Sequence, residues 1–571
     1  MMRLGPVGLL ALMCACGSGE NDRNSGSMGS GSAGVLGGTG GDTSLGAASG
    51  EGGHVPTGGA VGPESTGGTV ATGGDVGGGG GLGAIGGSGA TGGLVVVGGS
   101  DAAGGLVANG GAAGGVGGLE MGAVPHIGDL AVEPNPNNAL SCIVNWTTDV
   151  AASSEVQFGI GELAFRIVDD EPKTTHSVLV IGMYASSDYL IRVVSTSSSG
   201  VDSEDTSFAT GPLPDGVPEG VLSTNDSASQ SGWTLTNIMP AGTYFPGTEP
   251  GLVVMYDQAG VPVWYFVHGT NADANGDVSV KTLPNGNLMI GPSAGEPPKE
   301  IDLAGNVVWA GPPQPETNRG NDLMSHQALK LHNGNYVLLR EHTQDGFIGA
   351  LVEEVTPDNQ VVWSWNLFDH LQPDPEAAED WCHPNAVTID LAEDVLYLSC
   401  RYLGVIKAHR SGEQSIIWIL GEHTDDGDFS FQPPGSGFAD QHDPEIHDDG
   451  SILVFDNGGF DLRPDSPNRS RIAEYALDEQ TWVAQLLWEF PGDFAVDAWF
   501  TDWYSAYWGD ADRLANGNVL VSAGTHALDG QSHIFEFDPR SGRVVWELVL
   551  PVNVGSYQAE RLSPPPLVEA M

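Results

Sequence analysis

The sequence predicts an all-β protein: a six-bladed β-propeller preceded by a small β-sandwich and a long disordered Gly-rich linker. Three observations predict it. A unit ending in two apolar residues and a tryptophan recurs six times, roughly 45 to 70 residues apart, a period typical of propeller blades. Each unit holds about four short strand candidates with turn residues between them. Three histidines, His326, His383 and His442, occupy one equivalent place in consecutive units.

The tryptophan copies are Val261-Pro-Val-Trp264, Val307-Val-Trp309, Val361-Val-Trp363, Ile416-Ile-Trp418, Leu486-Leu-Trp488 and Val544-Val-Trp546. Within the second unit, Gln327–Leu331, Tyr336–Arg340, Ala350–Val355 and Val361–Trp365 read as four strands, short and rich in β-formers. Asn333-Gly334 between the first two suggests a type I′ hairpin. Asn285-Gly286 and Asn516-Gly517 repeat it, with Asp449-Gly450 as a variant. The first unit offers only three strands, Gly232–Ile238, Leu252–Tyr256 and Val261–Phe266, and the last leaves one over, Tyr557–Leu562. One plus three completes a sixth blade and removes open sheet edges, so residues 213–571 are expected to form a six-bladed ring.

In chain order, residues 1–16 have the form of a bacterial lipoprotein signal, with Arg3, the short apolar run Leu4–Met13 and Met13-Cys-Ala-Cys16. Cys16 is the expected lipid-bearing residue, with Cys14 the alternative, and the apolar run is too short to span a bilayer. Residues 17–124 are glycine-rich with few aromatics. They cannot bury enough apolar surface to offset ordering entropy, and their reach as a tether is on the order of 55–60 Å. The folded part is therefore expected outside the cytoplasm, lipid-anchored to the cell envelope. Residues 125–212 alternate polar and apolar over Leu140–Trp146, followed by strand candidates Ser154–Phe158, His176–Ile181, Tyr189–Ser195 and Ser207–Thr210. They suggest a seven-strand sandwich resembling a fibronectin type III domain, with Tyr189-Leu-Ile-Arg-Val193 similar to its tyrosine-corner strand.

The formal net charge of −53 and pI of about 4.2 make nucleic acid and anionic membranes poor ligands; any membrane contact is expected through the lipid alone. Cys142 reads as a buried thiol. A Cys382–Cys400 disulfide is permitted in an oxidising compartment, and no C-x-x-C pattern suggests zinc.

If the ring closes, His326, His383 and His442 converge on one channel mouth. The same slot holds Val278 and Gly509 in other units, and Asp443 and Asp510 should alternate to the opposite face. Arg340 and Arg401 end the neighbouring strands, and Asn385 faces the same way as His383. Guanidinium groups match a tetrahedral oxyanion. A neutral imidazole can accept a transferred group covalently, a second can move the proton, and Asn385 can donate to a sulfuryl oxygen. Such a site suits transfer of an anionic group between hydroxyl compounds and needs no cofactor or metal. Three histidines also suit a metal-dependent propeller enzyme, which the arginines argue against, and a non-catalytic ligand-binding propeller is the remaining class. An acidic envelope tends to raise a histidine pKa, so activity is expected to fall below roughly pH 6.5.

The sequence also resembles the arylsulfotransferase family, bacterial enzymes that move sulfate between phenols without a nucleotide donor. The likeness rests on Asp380-Trp-Cys-His383-Pro-Asn385-Ala-Val, Leu398-Ser-Cys-Arg401, Phe429-Ser-Phe-Gln, Gln441-His442-Asp443 leading to Asp456-Asn457-Gly458, Gly509-Asp510-Ala-Asp512-Arg513, and the closing Tyr557-Gln-Ala-Glu-Arg561. It implies a six-bladed propeller, a phenolic sulfate donor and a phenolic acceptor. It also implies that His442 becomes sulfated, while His326, His383, Asn385 and Arg401 hold the sulfuryl group and manage protons. The chain departs from the family pattern at Glu445, where an arginine often stands; strand alternation should turn it from the channel.

Overall fold

The computed structural model describes residues 123–240, 251–268, 279–292, 295–314, 323–421, 427–459, 469–492, 503–506, 508–524, 530–563, 565 and 567–571. The expected signal with Cys14 and Cys16, nearly all of the linker 17–124, and Val278 lie outside them. The described residues are all-β apart from one 3-10 turn, Leu367–Asp369. No helix among them is long and apolar enough to cross a membrane.

Among the described residues, six sheets follow one another in a propeller-like order. The first comprises Val280–Thr282, Leu288–Ile290, Lys299–Ile301 and Val307–Ala310. The second comprises Met324–Lys330, Tyr336–Gln344, Phe347–Val355 and Val361–Asn366; the third, Pro384–Asp390, Val395–Cys400, Gly404–His409 and Ile416–Leu420. Each is a four-stranded antiparallel meander. The fourth begins at His442–Ile446 and takes a fifth strand, Ser430–Gln432, parallel to Val483–Phe490. The fifth begins at Asp510–Arg513 and takes Val221–Asn225 beside Arg543–Val549. In the sixth, Ala559–Leu562 and Val554–Gly555 pair with Trp233–Pro240, which leads to Gly251–Tyr256 and Pro262–His268. Segments from both ends of residues 213–571 are thus interleaved in the last two sheets.

The repeated tryptophans join each sheet to the next. Trp264 Nε1 donates to the Leu303 carbonyl, Trp363 to that of Arg410, and Trp418 to Glu479 Oε1. Trp309 stacks on Tyr336 at 3.6 Å, and Trp488 meets Phe537 edge-on at 5.8 Å. Trp546 of the fifth sheet donates to the Gln258 carbonyl of the sixth. A tryptophan suits this place because it offers a large apolar face and one donor for a carbonyl next door.

The hairpin turns differ from the expected type I′. Gly286, Gly334, Gly450 and Gly517 all have φ between 82° and 87°, while the residues before them do not reach positive φ. In each, the glycine N–H donates to the carbonyl three residues back, as Gly334 does to Leu331 at 2.9 Å. This is a type I turn closed by a left-handed glycine, the three-residue hairpin. At the three Asn-Gly turns the reason lies in the asparagines: Asn333 and Asn335 both donate to Glu354 Oε1 across the sheet, as Asn285 and Asn287 do to Glu300 and Asn516 and Asn518 to Glu536. Burial alone would raise the Glu300 carboxyl; Lys330, Tyr336, Asn287 and Asn285 hold it down at about 2.

Residues 127–209 form one hydrogen-bonded sheet rather than the separate strands expected. Cys142–Gly159 is a single strand of 18 residues with irregular register around Thr147, Ala152 and Ser154, where two strands were predicted. Ile127–Pro134 pairs with its first half and Asp188–Ser197 with its second. Tyr189 is buried, and its hydroxyl accepts the Tyr184 N–H at 2.7 Å. Glu569–Ala570 adds to this sheet beside Phe165–Arg166. The sheet packs on the sixth and first central sheets: Trp146, Val180, Met183, Trp233, Met255 and Leu288 share one core, and Asn138 donates to the Tyr265 carbonyl.

Candidate active site

The first strands of the second, third and fourth sheets lie against one another, and each breaks its ladder where its histidine sits. Register shifts occur at Met324–Ala328, Pro384–Ala386 and His442–Glu445. His326 and His383 have φ of 56° and 52°, and Asp443 has 37°. Positive φ at a non-glycine residue costs about 1–3 kcal/mol and persists where its surroundings over-determine it. These kinks bring the rings together: His326 lies 5.4 Å from His383 and 6.1 Å from His442, centroid to centroid. All three histidines are buried. The ring of Tyr557, from the segment leading into the closing strand, stands edge-on to His326 and His442 at 5.8 and 6.0 Å.

Each imidazole is held through Nδ1, and each by a different group. His326 Nδ1 is 2.6 Å from Ser325 Oγ; His383 Nδ1 is 2.7 Å from Asp380 Oδ2; His442 Nδ1 is 2.8 Å from Asn457 Oδ1 and 3.2 Å from the Asp440 carbonyl. The His442 tautomer follows from its partner. Asn457 Nδ2 donates to the carbonyls of Ser505 at 2.9 Å and Trp508 at 2.8 Å. With both amide protons engaged, its Oδ1 is the acceptor, so His442 Nδ1 must carry the proton. Nε2 then bears the lone pair, and it is buried without a hydrogen-bond partner among the described residues. Burial holds the His442 pKa well below the ordinary imidazole value, helped by the nearby charge of Arg401 and by His326 and His383.

Arg401 adjoins the cluster: its backbone N–H donates to the His383 carbonyl at 3.0 Å, and Nη2 donates to the Ala506 carbonyl at 3.0 Å and lies 3.7 Å from Asp440 Oδ2. Asn385 is fully buried, but its amide is turned otherwise than expected. Nδ2 donates to the Gln441 carbonyl at 2.6 Å, and Oδ1 has no partner among the described residues. Its open capacity is therefore that of an acceptor. Arg340 pairs with Glu353 on the adjacent strand. The disulfide Cys382–Cys400, with Cα atoms 4.9 Å apart, ties together the residues preceding His383 and Arg401.

The predicted alternation fails at Asp443 and Asp510. The kink at Asp443 turns its carboxylate onto Gln327, Gln558 and Lys281, and Lys281 also lies within 4 Å of Asp510, Asp512 and Glu560. A polar layer from the first strands of several sheets thus adjoins the histidine layer. Glu445 accepts from the Arg513 N–H and bonds His447, and His447 is half-buried, its pKa raised to about 9 by bonds to Glu445 and Glu474. No group of three or more His, Cys, Asp or Glu among the described residues has the geometry to hold a metal ion. Trp503 and Trp508 are buried, and Trp503 packs on Phe455 and Phe535.

Sequence reasoning passed over Asp380, Asn457 and Tyr557 as site residues, although all three stand in the quoted motifs. Their proximity depends on loops and on chain closure, which no spacing reveals.

A family model described as Arylsulfotransferase (ASST) matches residues 221–558. The chain is 25% identical over 190 residues to the arylsulfate sulfotransferase AssT of Escherichia coli O6:H1, covering 28% of this chain and 29% of that protein. It is 27% identical over 157 residues to the arylsulfate sulfotransferase AssT of Lelliottia amnigena, covering 21% and 24%. The aligned part thus spans less than a third of either curated relative's length. Among solved structures, the β-propeller domain of Myceliophteria thermophila Cps50 (Swd1) matches with a TM-score of 0.35 at 13% identity, over 61% of this chain and 98% of that one. A quinonprotein alcohol dehydrogenase-like protein of Bacteroides thetaiotaomicron matches with a TM-score of 0.30 at 10% identity, over 73% and 94%.

Proposed function

Since the chain belongs to the arylsulfotransferase family, we propose that it transfers a sulfuryl group from a phenolic sulfate ester to a phenolic acceptor through a covalent sulfohistidine on His442. The observation that carries this reading is the state of His442: Nδ1 is engaged by an amide whose own protons are engaged, and Nε2 is left with a buried lone pair beside Arg401 and two further imidazoles.

In the first half-reaction His442 Nε2 attacks sulfur. The N–S bond forms, the S–O bond to the aryl group breaks, and its electron pair leaves on the aryl oxygen, which takes a proton from a second imidazole. In the second half-reaction that imidazole removes the acceptor phenol's proton, the acceptor oxygen bonds sulfur, and the N–S electron pair returns to Nε2. In this reading the Arg401 guanidinium, beside His442, supports the sulfuryl oxygens. Arg340, which also pairs with Glu353, is the second guanidinium proposed for substrate binding.

We read the six sheets as six blades of one ring, closed by the pairing of Ala559–Leu562 with Trp233–Pro240 and by Trp546 reaching Gln258. The sheet at 125–212 we read as a fibronectin type III-like module that braces the ring, a reading favoured by the Tyr189–Tyr184 bond. Export and lipid attachment at Cys16 remain part of the proposal, tested by loss of lipid label in Cys16→Ser.

The test of the reaction is release of nitrophenol from p-nitrophenyl sulfate with phenol as acceptor. His442→Ala should lower turnover by at least about 10³-fold. Equal release from the variant and the unaltered protein removes His442 as nucleophile.

A further inference from the structure

We propose that Asp380 is the positioning residue that selects His383, out of the three clustered imidazoles, as the proton carrier for the departing and incoming phenols. The proposal rests on the sulfuryl-transfer reading above and adds to it a residue outside the group-transfer machinery itself.

The three rings share one buried space, so their roles must be separated by what each is tied to. His442 is tied to an amide and a carbonyl, and His326 to the Ser325 hydroxyl. His383 is tied to the Asp380 carboxylate at 2.7 Å. An amide oxygen fixes a tautomer without favouring a charged ring, which suits a nucleophile whose lone pair must stay free. A carboxylate fixes the same tautomer and also stabilises the imidazolium. Of the groups around His383, the charge of Arg401 disfavours a positive ring, His326 and His442 supply no negative charge, and the Tyr402 ring stands edge-on at 5.8 Å. Burial disfavours it further. Asp380 opposes all of these, so its carboxylate favours a proton on the ring beside it.

The carboxylate is placed before any substrate arrives. Asp380 bridges to Ile348 in the second sheet, and the Ile348 N–H donates to the Glu379 carbonyl at 2.7 Å. The Trp381 and Cys382 N–H groups both reach the Ile348 carbonyl at 3.2 Å, and Trp381 packs on Phe368. Cys382 is bonded to Cys400. Residues 379–383 are therefore fixed at both ends, and with them the line from Asp380 Oδ2 to His383 Nδ1.

The proton balance is simple. With Nδ1–H directed at Asp380, the imidazolium gives its Nε2 proton to the aryl oxygen as the S–O bond breaks. The neutral ring then takes the acceptor's proton at the same atom. Asp380 stays ionised throughout.

Leaving-group dependence provides the test. p-Nitrophenolate departs without help from an acid, whereas unsubstituted phenolate needs a proton. Asp380→Asn keeps the hydrogen bond and removes the charge. In single-turnover sulfation of the protein without acceptor, it should slow p-nitrophenyl sulfate by only a few-fold and phenyl sulfate by about 100-fold or more, with a steeper dependence on leaving-phenol pKa in between. A uniform loss across the series overturns the proposal, because misfolding or a general loosening would act on every donor alike. A measurement on the unaltered protein stands beside it: in a 15N-histidine titration, His383 should hold its imidazolium to higher pH than His326 and His442, and any other ranking overturns the proposal. His442→Ala separates the two levels. If it stays active, the sulfohistidine reading fails; if it is inactive while Asp380→Asn loses activity uniformly, only the role of Asp380 fails.

Discussion

At the level of single residues, two histidines in one space are made different by an amide and a carboxylate. The consequence for pH runs opposite to the composition. An acid-rich chain suggests raised histidine pKa values, yet His442 is pushed well below the ordinary value by its burial and then by Arg401 and His326. A depressed pKa means that Nε2 keeps its lone pair at every pH above that lowered value and is protonated only beneath it. The acid limb of the first half-reaction should therefore fall below about pH 6.5, the unperturbed imidazole value. A pre-steady-state burst of nitrophenol followed from pH 4 to 8 checks this; a limb at or above that value would mean that another group governs the lone pair.

At the level of elements, glycines with positive φ serve two purposes that substitution can separate. Gly334 closes a hairpin at φ 87° with nothing within 4 Å of a would-be Cβ. Gly334→Ala should lose only the backbone preference, about 1–2 kcal/mol. Gly509, in the slot equivalent to the histidines, has φ 124° and would place a Cβ 2.4 Å from the Phe455 ring. Gly509→Ala adds a steric collision to backbone strain and should cost about 3 kcal/mol or more. Urea titration of the two variants should rank them in that order. The disulfide belongs to the same scale. It closes a loop of sequence separation 18, so Cys382→Ser with Cys400→Ser should lower stability by about 3 kcal/mol. Because it anchors the residues before His383 and Arg401, turnover should fall further than unfolding alone explains when both are measured well below the melting temperature.

For the whole molecule, the decisive contacts are those between distant parts of the chain. Val221–Asn225 completes the fifth sheet, Ala559–Leu562 lies on Trp233–Pro240, and Glu569–Ala570 returns to the sheet at 127–209. Deleting residues 559–571 would uncover the ladder of Trp233–Thr236 and leave an open strand edge. The truncated chain should aggregate on expression or be cleaved rapidly by protease under conditions where the full chain resists; a soluble, resistant product would show that the closing strand is dispensable. The same long-range contacts bring Tyr557 against His326 and His442.

The period of the tryptophan unit, the meander strands and the shared slot of the three histidines were legible in the sequence, because each depends on local alternation and on repetition. The same reading placed Arg401 and Asn385 beside His383. It erred on turn type because the hairpin is decided across the sheet, where Asn333 and Asn335 find Glu354. It separated Leu140–Trp146 from Ser154–Phe158 because an irregular ladder at Thr147–Ser154 can bend one strand without ending it. Tertiary structure alone decided the direction of the Asn385 amide, the turning of Asp443 toward Lys281, and the choice of Asn457 for His442 and Asp380 for His383. Repetition in a chain specifies where a side chain recurs; the protonation state and partner of that side chain are set by whatever non-repeating segments fold against it.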